Sequence, residues 1–462
     1  MPMTPTSRRF ITVDYERALE QTVILREILP PEHLARFVVD VIAQLDLSGF
    51  YAQYGKRGGK AYAPEILLGV LFYGYATGVF SSRKLERATH EAIPFRFIAG
   101  GQHPDHDTLA DFRKTFLPAI GELFVQILLY AQVMGVLQLG NISLDGTKIH
   151  ADASKSKAVS HKRLLELEDQ LRQEVAELLD LGEQADQGEA ELPTGLVLAD
   201  EIAFRKNRLA NLAEAKTVLE ARARERYEAE QAEYEARLRE REEKARRTGR
   251  KPGGRAPQPP TPGPRDKDQY NFTDPESRIM KNSMNDGFDQ HYNAQAAVDQ
   301  EHLLIVAPTL SNHPTDHAEA LPTVDAIPPE VGKPAAVALD NGFWSPENVA
   351  GLAARGIEPY IAVGREAHRH DWKAYFGLAE PHAPLPADAS LIMKMADKLQ
   401  TEIGKAIYGL RKCTVEPVIG IIKEVLGFRQ FSLRGLAAAA GEWCLVCLAW
   451  NLKRLHVLLA NS

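Results

Sequence analysis

The chain has 462 residues, of which 44% are hydrophobic and 25% charged, and its formal net charge is −7 at pH 7. This length is too great for one ordinary hydrophobic core, so two or three domains are expected in an ordinary soluble globular protein. The acidic balance argues against a uniformly basic nucleic-acid coat, but it leaves room for a local basic surface.

The three cysteines are Cys413, Cys444 and Cys447, which cannot form a disulfide framework and which fit a reducing cytoplasm. Cys444 and Cys447 form a CxxC inside an apolar run with no second pair, which favours two core thiols on a helix over a zinc or redox site. Residues 1–12 lack an apolar core, and Glu442 interrupts the apolar run 436–450. Neither a signal peptide nor a membrane span is therefore predicted.

Residues 14–135 are predicted to be helical, because their apolar residues either have helical spacing or would lie on every side of a helix. The stretch SSRKLER (81–87) is a small basic helix start, either a solvated face or a contact for DNA phosphates. The stretch HPDHD (103–107) is better explained as a turn and N-cap before Leu109 than as a metal site.

The stretch NISLDGTKIHA (141–151) is β-branched and apolar at its start, which predicts a short strand carrying Asp145. An aspartate of this kind, taken alone, is more often a strand-end or turn residue than a functional one. After Ala151 the composition changes abruptly to polar and helix-forming. Residues 221–247 contain nine basic and eight acidic side chains, the pattern of a solvated helix or an antiparallel helical hairpin.

The following stretch, 251–265, has six prolines and three glycines and is predicted to be a linker or exposed arm. Residues 161–265 together have too few apolar residues for an independent core. We therefore expect a projecting hairpin with a mobile tip that supplies no catalytic group.

The globular pattern resumes near Tyr270 and alternates between strands and helices, as in a mixed α/β sheet with its chemistry at the strand ends. The predicted elements are paired strands at 291–299 and 302–311, a helix at 316–327, a strand ending at Asp340, a helix at 346–356 and a strand at 358–363.

The stretch TVEPVIGIIK (414–423) predicts a helix with Thr414 as its N-cap and Glu416 in its first turn. Acids delivered by two strands and a helix, Asp145, Asp340 and Glu416, can converge on hard cations that prefer oxygen ligands. Lys423 follows Glu416 by seven residues, so both are expected on one helix face, with Gly420 leaving room for a DNA backbone. Residues 391–435 hold eight basic and four acidic side chains, which favours a phosphate-binding surface.

Several ordered stretches carry a family resemblance. They are YAPEILLGVLFYGYATGVFSSRKLERA, PDHDTLADFRKTF, SLDGTKIHADAS, DPESRIMKN, HYNAQAAVD, ALDNGFWSPENV, YGLRKCTVEPVIGIIKEVLGFRQFSLRG and EWCLVCLAWNLKRL. In this combination the chain resembles the DDE transposases of insertion sequences, whose RNase H-like catalytic core is shared with retroviral integrases. The resemblance covers nearly everything outside the insertion and linker.

The resemblance implies an α/β fold, with an RNase H-like mixed sheet core, an N-terminal all-helical domain and a helical, coiled-coil-like insertion after the first core strand. It implies a helical DNA-binding domain at 1–138 and a DDE catalytic domain at 139–160 and 266–462. The helical insertion and proline-rich linker then occupy 161–265.

The resemblance also implies that Asp145, Asp340 and Glu416 are the catalytic, metal-binding triad for two Mg²⁺ ions, with Mn²⁺ able to substitute. Contacts to DNA phosphate are expected from Arg411, Lys412, Lys423 and Arg434. Related transposases carry a Tyr, an Arg and a Lys around the last acid. Tyr408 and Lys423 match in kind, whereas either Arg411 or Lys412 fills the basic position.

Phe343, three residues after the second aspartate, and Trp344 are candidates for stacking on an unpaired base, with core packing as the alternative. His150, close to the first acid, is expected to be an orienting or core histidine and not a ligand.

The function implied is metal-dependent cleavage at insertion-sequence ends and strand transfer into target DNA. The alternatives are an RNase H-like nuclease without strand transfer and a catalytically silent DNA-binding derivative. The expected partners are double-stranded DNA, as terminal inverted repeats and target, and a second copy of the chain, with no membrane. The expected location is the bacterial cytoplasm, with the nucleoid. Terminal repeat sequence, target preference and cleavage pathway do not follow from the chain.

Overall fold

A computed structural model of the protein describes residues 24–55, 61–188, 197–249, 253–282, 287–364, 385–386 and 388–460. The predicted helical stretch before residue 24, the tip of the insertion at 189–196 and residues 250–252 of the linker lie outside the described residues.

The N-terminal part is helical, as predicted, between residues 25 and 133. Its helices are α1 (Leu25–Ile28), α2 (Leu34–Ile42), α3 (Ser48–Tyr51), α4 (Pro64–Ala76), α5 (Ser82–Glu91), α6 (Ile93–Ile98) and α7 (His106–Val133). Asp105 caps α7, its carboxylate accepting from the backbone N–H of Thr108 at 2.6 Å. The predicted N-cap and turn before Leu109 are therefore confirmed.

The insertion leaves and rejoins the chain through a short two-stranded sheet. β1 (Asn141–His150) is followed by β2 (Ala158–Ser160), which pairs antiparallel with β3 (Gln269–Asn271). Between them run the long helices α8 (His161–Asp186) and α9 (Leu198–Thr248).

Helices α8 and α9 pack along each other as a hairpin, because Glu174 pairs with Arg205 and Glu168 with Lys216 in opposite chain directions. The few apolar residues of the insertion gather near its base, where Tyr270 of β3, from outside the insertion, joins them. A small apolar cluster forms there, with three residues of α9 closing on two of α8. Its members are Leu164, Leu171, Leu212, Ala215, Leu219 and Tyr270.

The main sheet has six strands and is mixed. The remaining strands are β4 (Arg278–Lys281), β5 (Phe288–Asp299), β6 (Ile305–Ser311), β7 (Ala336–Leu339) and β8 (Glu358–Ile361). β4 and β6 both pair antiparallel with β5, β5 pairs antiparallel with β1, and β1, β7 and β8 are parallel. The predicted pairing of 291–299 with 302–311 is confirmed in β5 and β6.

Helices follow β6, β7 and β8 and cover the sheet. They are α10 (Ala320–Asp325), α11 (Pro346–Ala354), α12 (Leu391–Gln400), α13 (Glu402–Gly409), α14 (Val415–Gly420) and α15 (Leu436–Ala460). The helix predicted at 316–327 is shorter, because residues 312–319 form a polar connection. Asp316 in this connection hydrogen-bonds to Asn293 and Gln295 of β5.

Helix α15 lies at the centre of the molecule, where it packs against α4, α7 and β6. Its two cysteines are free, Cys447 buried and Cys444 partly so, and burial raises the pKa of Cys444 to about 12. They are core thiols, as predicted. One hydrophobic cluster joins the N-terminal helices, the sheet and α15, so the helical region and the sheet share a core.

Among the described residues, α7 and α15 are long and apolar enough to span a membrane by length and composition. Both are instead used in this core, and α15 carries Glu442, which is fully buried and hydrogen-bonded.

Candidate active site

The first two predicted acids lie on adjacent parallel strands. Leu144 of β1 is paired in register with Leu339 of β7, so Asp145 and Asp340 are the next residues on neighbouring strands. Side chains alternate across a strand, so equivalent positions on neighbouring strands present their side chains to the same face. The sheet register therefore brings the two carboxylates side by side.

Asp340 also fixes its own local turn. The chain breaks from the buried strand β7 into a single helical turn at Asn341–Phe343, and an Asp340 carboxylate oxygen accepts from the N–H of Gly342 at 2.8 Å. Asp340 thus has the structural role of a turn residue while lying half-buried beside Asp145, and a structural role and a functional one are compatible.

Glu416 enters from α14, which docks on β1. Thr414 is the N-cap residue of this helix and Glu416 is in its first turn, as predicted, but the Thr414 side chain makes no capping hydrogen bond. Its hydroxyl bonds instead to Ser143 at 2.8 Å and to the carbonyl of Leu410. Ser143 is on the same strand face as Asp145, so this buried bond places the start of α14 beside the first acid.

Arg411 lies between the acids. Its guanidinium is 3.1 Å from an oxygen of Asp145 and 2.7 Å from an oxygen of Glu416, and it lies over the ring of Tyr408. Arg411 is buried, whereas Lys412, the other residue considered for this position, is exposed. The arginine therefore occupies the space next to the triad.

Asp145 carries the strongest electrostatic signal in the site. Burial, followed by the neighbouring charge of Asp340, raises the pKa of Asp145 to about 7, while Arg411 opposes the shift. Burial also raises the pKa of Asp340. Two carboxylates crowded in this way favour either a shared proton or a bound cation.

The triad does not form a closed cation cage. Across the described ranges, no three or more His, Cys, Asp or Glu side chains are gathered closely enough to hold one ion. The guanidinium of Arg411 explains this, because it lies between Asp145 and Glu416 and supplies the positive charge that a bound cation would otherwise provide. The donor set still fits Mg²⁺, which prefers carboxylate oxygens and keeps several waters.

Lys423 reaches the site by a different route from the predicted one. The helix widens into a π turn at Ile421–Val425, closed by a bond from the N–H of Leu426 to the carbonyl of Ile421. An α-helical face shared with Glu416 therefore does not continue to Lys423. Lys423 nevertheless bonds to the hydroxyl of Thr147 at 3.0 Å, and Thr147 shares a face of β1 with Asp145.

The remaining predicted residues lie outside this cluster or in the core. Arg434 pairs with Asp152 beyond the end of β1 at 2.8 Å, rather than with any of the three acids. Phe343 is fully buried, as the core-packing interpretation expects, and Trp344 packs against the same core while partly exposed. His150 stacks on the buried His291 with ring centroids 4.3 Å apart, consistent with an orienting or core role.

Asp316 is a fourth acid at the site that the sequence reasoning missed. It lies in the connection after β6, and its charge contributes to the raised pKa of both Asp145 and Asp340. One signal was available: an apolar strand followed within a few residues by an acid, the pattern that identified Asp340. The intervening residues NHPT obscured it.

Two family models match the chain. A transposase domain, DUF772, matches residues 23–115, and a transposase DDE domain matches residues 386–456. Both matches are to domains of transposases, and together they support an insertion-sequence DDE transposase. No curated protein and no solved structure matches it.

The matched parts of the chain include Arg411, Glu416 and Lys423 in the second domain and the basic helix α5 in the first. Asp145 and Asp340 lie outside both matched ranges. Their assignment to the catalytic centre of the transposase remains a prediction from motif and register.

Proposed function

We propose that this transposase cleaves DNA at the ends of its insertion sequence and joins the freed 3′-hydroxyl to target DNA, using one site for both reactions. The observation that carries the proposal is the register of β1 and β7, which sets Asp145 beside Asp340. Arg411 then connects Asp145 to Glu416. Three carboxylates from separate elements meet around one face of β1.

The metal ions, proposed to be two Mg²⁺ for which Mn²⁺ can substitute, are held by Asp145, Asp340 and Glu416. When bound, such a pair stabilises the attacking and leaving oxygens of a phosphoryl transfer. The raised pKa of Asp145 supports this assignment, since its charged form lacks sufficient compensation in the metal-free chain.

Arg411 and Lys423 are proposed to position phosphate. Arg411 presents a planar donor set suited to phosphate oxygens once cations compensate the acids. Lys423 is half-buried and hydrogen-bonded beside Thr147, so its ammonium is held in place near the cleavage site. Lys412 and Arg434 are exposed and are assigned to more distant phosphates of the duplex.

A continuous DNA-binding surface from the site to the N-terminal helices is supported by one close contact. Gly78, with a φ of +82°, approaches Leu426 so closely that a Cβ would lie 2.7 Å from its carbonyl oxygen. Phe80 packs edge-on against Phe428 at 5.1 Å. These contacts place the start of α5, with its exposed basic residues, next to the turn that carries Lys423. The exposed basic residues are Arg83, Lys84 and Arg87.

An RNase H-like core is the proposed fold of the catalytic domain. Its support is the strand order β6–β5–β1–β7–β8, in which only β5 runs opposite to the other four strands, and the acids on the central strand and its neighbour. The proposed domain limits are those expected from the sequence. They are 1–138 for the N-terminal helical domain, 161–265 for the insertion, and 139–160 with 266–462 for the catalytic domain. A homodimer on DNA is part of the same proposal.

The test uses purified full-length protein and linear DNA carrying both flanks of the encoding element. With Mg²⁺, we expect cleavage at the element ends and joining of those ends into a supercoiled plasmid. Cleavage without joining would indicate the nuclease alternative, and end binding without cleavage the silent derivative. Either result would overturn the proposal.

A further inference from the structure

Asp316 is held against the central strands by two buried amides. Its Oδ1 accepts from Asn293 at 2.8 Å and from Gln295 at 2.7 Å. Both amides belong to β5, where Gln295 is opposite Gly146 and Asn293 is opposite Lys148 on β1. The carboxylate is therefore fixed beside the strand that carries Asp145.

Glycine is required next to Asp145 for this approach. A Cβ at Gly146 would lie 2.3 Å from Oδ1 of Asp316 and 2.4 Å from the amide nitrogen of Gln295. No side chain tolerates such distances, so the Asp-Gly pair in β1 makes room for a second carboxylate directly after the first.

The other oxygen of Asp316 faces the turn of Asp340. The position that a Cβ would take on Gly342 lies 3.6 Å from Oδ2 of Asp316 and 3.0 Å from Oδ1 of Asp340. Both carboxylate oxygens thus border one small space. The buried amide of Asn348 locks this arrangement by donating to the carbonyl of His317 at 2.8 Å and to that of Phe343 at 2.7 Å.

A buried oxygen beside Asp316 lacks a donor. Gln295 is fully buried, and within the described part of the chain its side-chain oxygen has no hydrogen-bond partner. Leaving such an oxygen unpaired carries a desolvation penalty, so a missing ligand or water is the physical expectation. An amide oxygen is also a ligand type that hard cations and their waters accept.

We propose that Asp316 is a fourth carboxylate of the metal site, with Oδ2 binding the hydration shell of the cation held by Asp340. The orphaned oxygen of Gln295 accepts from the same shell. Asn293 and Gln295 orient Asp316 by occupying Oδ1. This proposal rests on the proposed function of Asp340 as a metal ligand.

The test is Mn²⁺ binding to full-length protein without DNA, measured by calorimetry and by the loss of the free-ion electron paramagnetic resonance signal. Asp316→Asn keeps an acceptor for both amides and removes only the charge facing Asp340. We expect its Mn²⁺ affinity to fall by about 10-fold or more, the usual range for residues that support metal ligands. Asp325→Asn, which removes a charge on α10, is the matched control and should bind as the unaltered chain does.

Asp340→Asn separates the two proposals. If it binds Mn²⁺ normally, the proposed metal site itself fails. If Asp340→Asn loses binding while Asp316→Asn retains full affinity, only the role of Asp316 is overturned. A lower melting temperature of Asp316→Asn in chelator with unchanged Mn²⁺ affinity would likewise show a structural role and overturn the inference. Should Asp316→Asn not fold, Asn293→Ala, which removes one orienting donor, carries the same test with the same expected direction.

Discussion

Charge compensation at Asp145 is the residue-scale feature that organises the site. Its carboxylate is buried beside Asp340, and a single guanidinium contacts it and Glu416. Coulombic repulsion between unpaired acids is large where water is excluded. The metal-free site is therefore held together by Arg411, and a divalent cation would compensate the same charges more fully.

A pH dependence of stability follows in the metal-free protein. Because the pKa of Asp145 is about 7 when folded and lower when unfolded, the folded chain binds more protons between about pH 4 and 7. Its free energy of unfolding should therefore fall as pH rises through that window, on the order of 1–3 kcal/mol. Asp145→Asn should remove this slope. Urea unfolding in chelator across pH 4.5–7.5 measures it (roughly the window given by the shift), and parallel curves for the two proteins would contradict it.

Lys423 tests whether the π turn has a role toward DNA. Losing one phosphate contact typically reduces the salt slope of binding by about one unit. Lys423→Ala should thus bind element ends more weakly and with a shallower slope. If the ammonium acts in the transition state, single-turnover cleavage at saturating protein should fall further than binding.

Lys333→Ala is the matched control, because Lys333 is an exposed lysine before β7, at the opposite end of that strand from Asp340. Equal salt slopes and equal cleavage rates for the two variants would reduce Lys423 to an ordinary surface lysine.

The candidate residues were accessible from the sequence to different degrees. Asp340 follows a strand whose apolar run ends at an Asn-Gly turn, so local pattern located it. Thr414 was correctly predicted as the N-cap residue, but its hydroxyl bonds to Ser143, 271 positions earlier in the chain, and local capping rules do not see such a partner. Asp316 was missed for the same reason: its partners, Asn293 and Gln295, are set by strand register.

At the scale of secondary-structure elements, the insertion is attached to the catalytic domain at its base by an ion pair and a hydrogen bond. Arg226 pairs with Asp268 at 2.8 Å, and Arg222 bonds to the carbonyl of Pro275 just before β4. Charge pattern predicted the hairpin correctly, because alternating signs on a helix need no tertiary partner. The small core at the base was not predicted, since its apolar residues are sparse and come from two distant helices.

Shortening the hairpin should spare the chemistry. Replacing residues 176–203 by a short Gly-Ser linker keeps the pair Glu174–Arg205 and the whole basal cluster. We expect a folded protein that cleaves bound ends at the normal rate and binds DNA or a second copy more weakly. Circular dichroism, end binding and cleavage per bound complex provide the measurements. A folded, DNA-bound variant without metal-dependent cleavage would contradict the peripheral role of the insertion.

At the scale of the whole molecule, a buried polar network joins the N-terminal helices to the catalytic sheet. Glu442 of α15 accepts from the N–H groups of Ser432 and Leu433 and from the hydroxyl of Tyr75, with Arg113 at 3.7 Å. Tyr75 and Arg113 belong to α4 and α7. The sequence showed Glu442 only as an interruption of an apolar run, because its partners come from three other parts of the chain.

Breaking this network should destabilise the entire chain. Removing one member of a buried ion pair costs about 3–5 kcal/mol. Glu442→Gln should therefore lower the free energy of unfolding on that scale and keep a single transition for helices and sheet, since they share a core. Glu424→Gln, at an exposed pair with Arg429, should cost about 0–1 kcal/mol. Two separate transitions in Glu442→Gln, or equal stability of the two variants, would argue against one coupled unit.

The central claim is that Asp145, Asp340 and Glu416 form one metal-dependent catalytic site. Its most direct test is single-turnover cleavage of end DNA at saturating Mg²⁺ by the three alanine variants, with Asp325→Ala as an exposed acidic control. We expect no detectable cleavage by any of the three, with folding and end binding retained, and normal cleavage by the control. Robust cleavage by any one triad variant would contradict it.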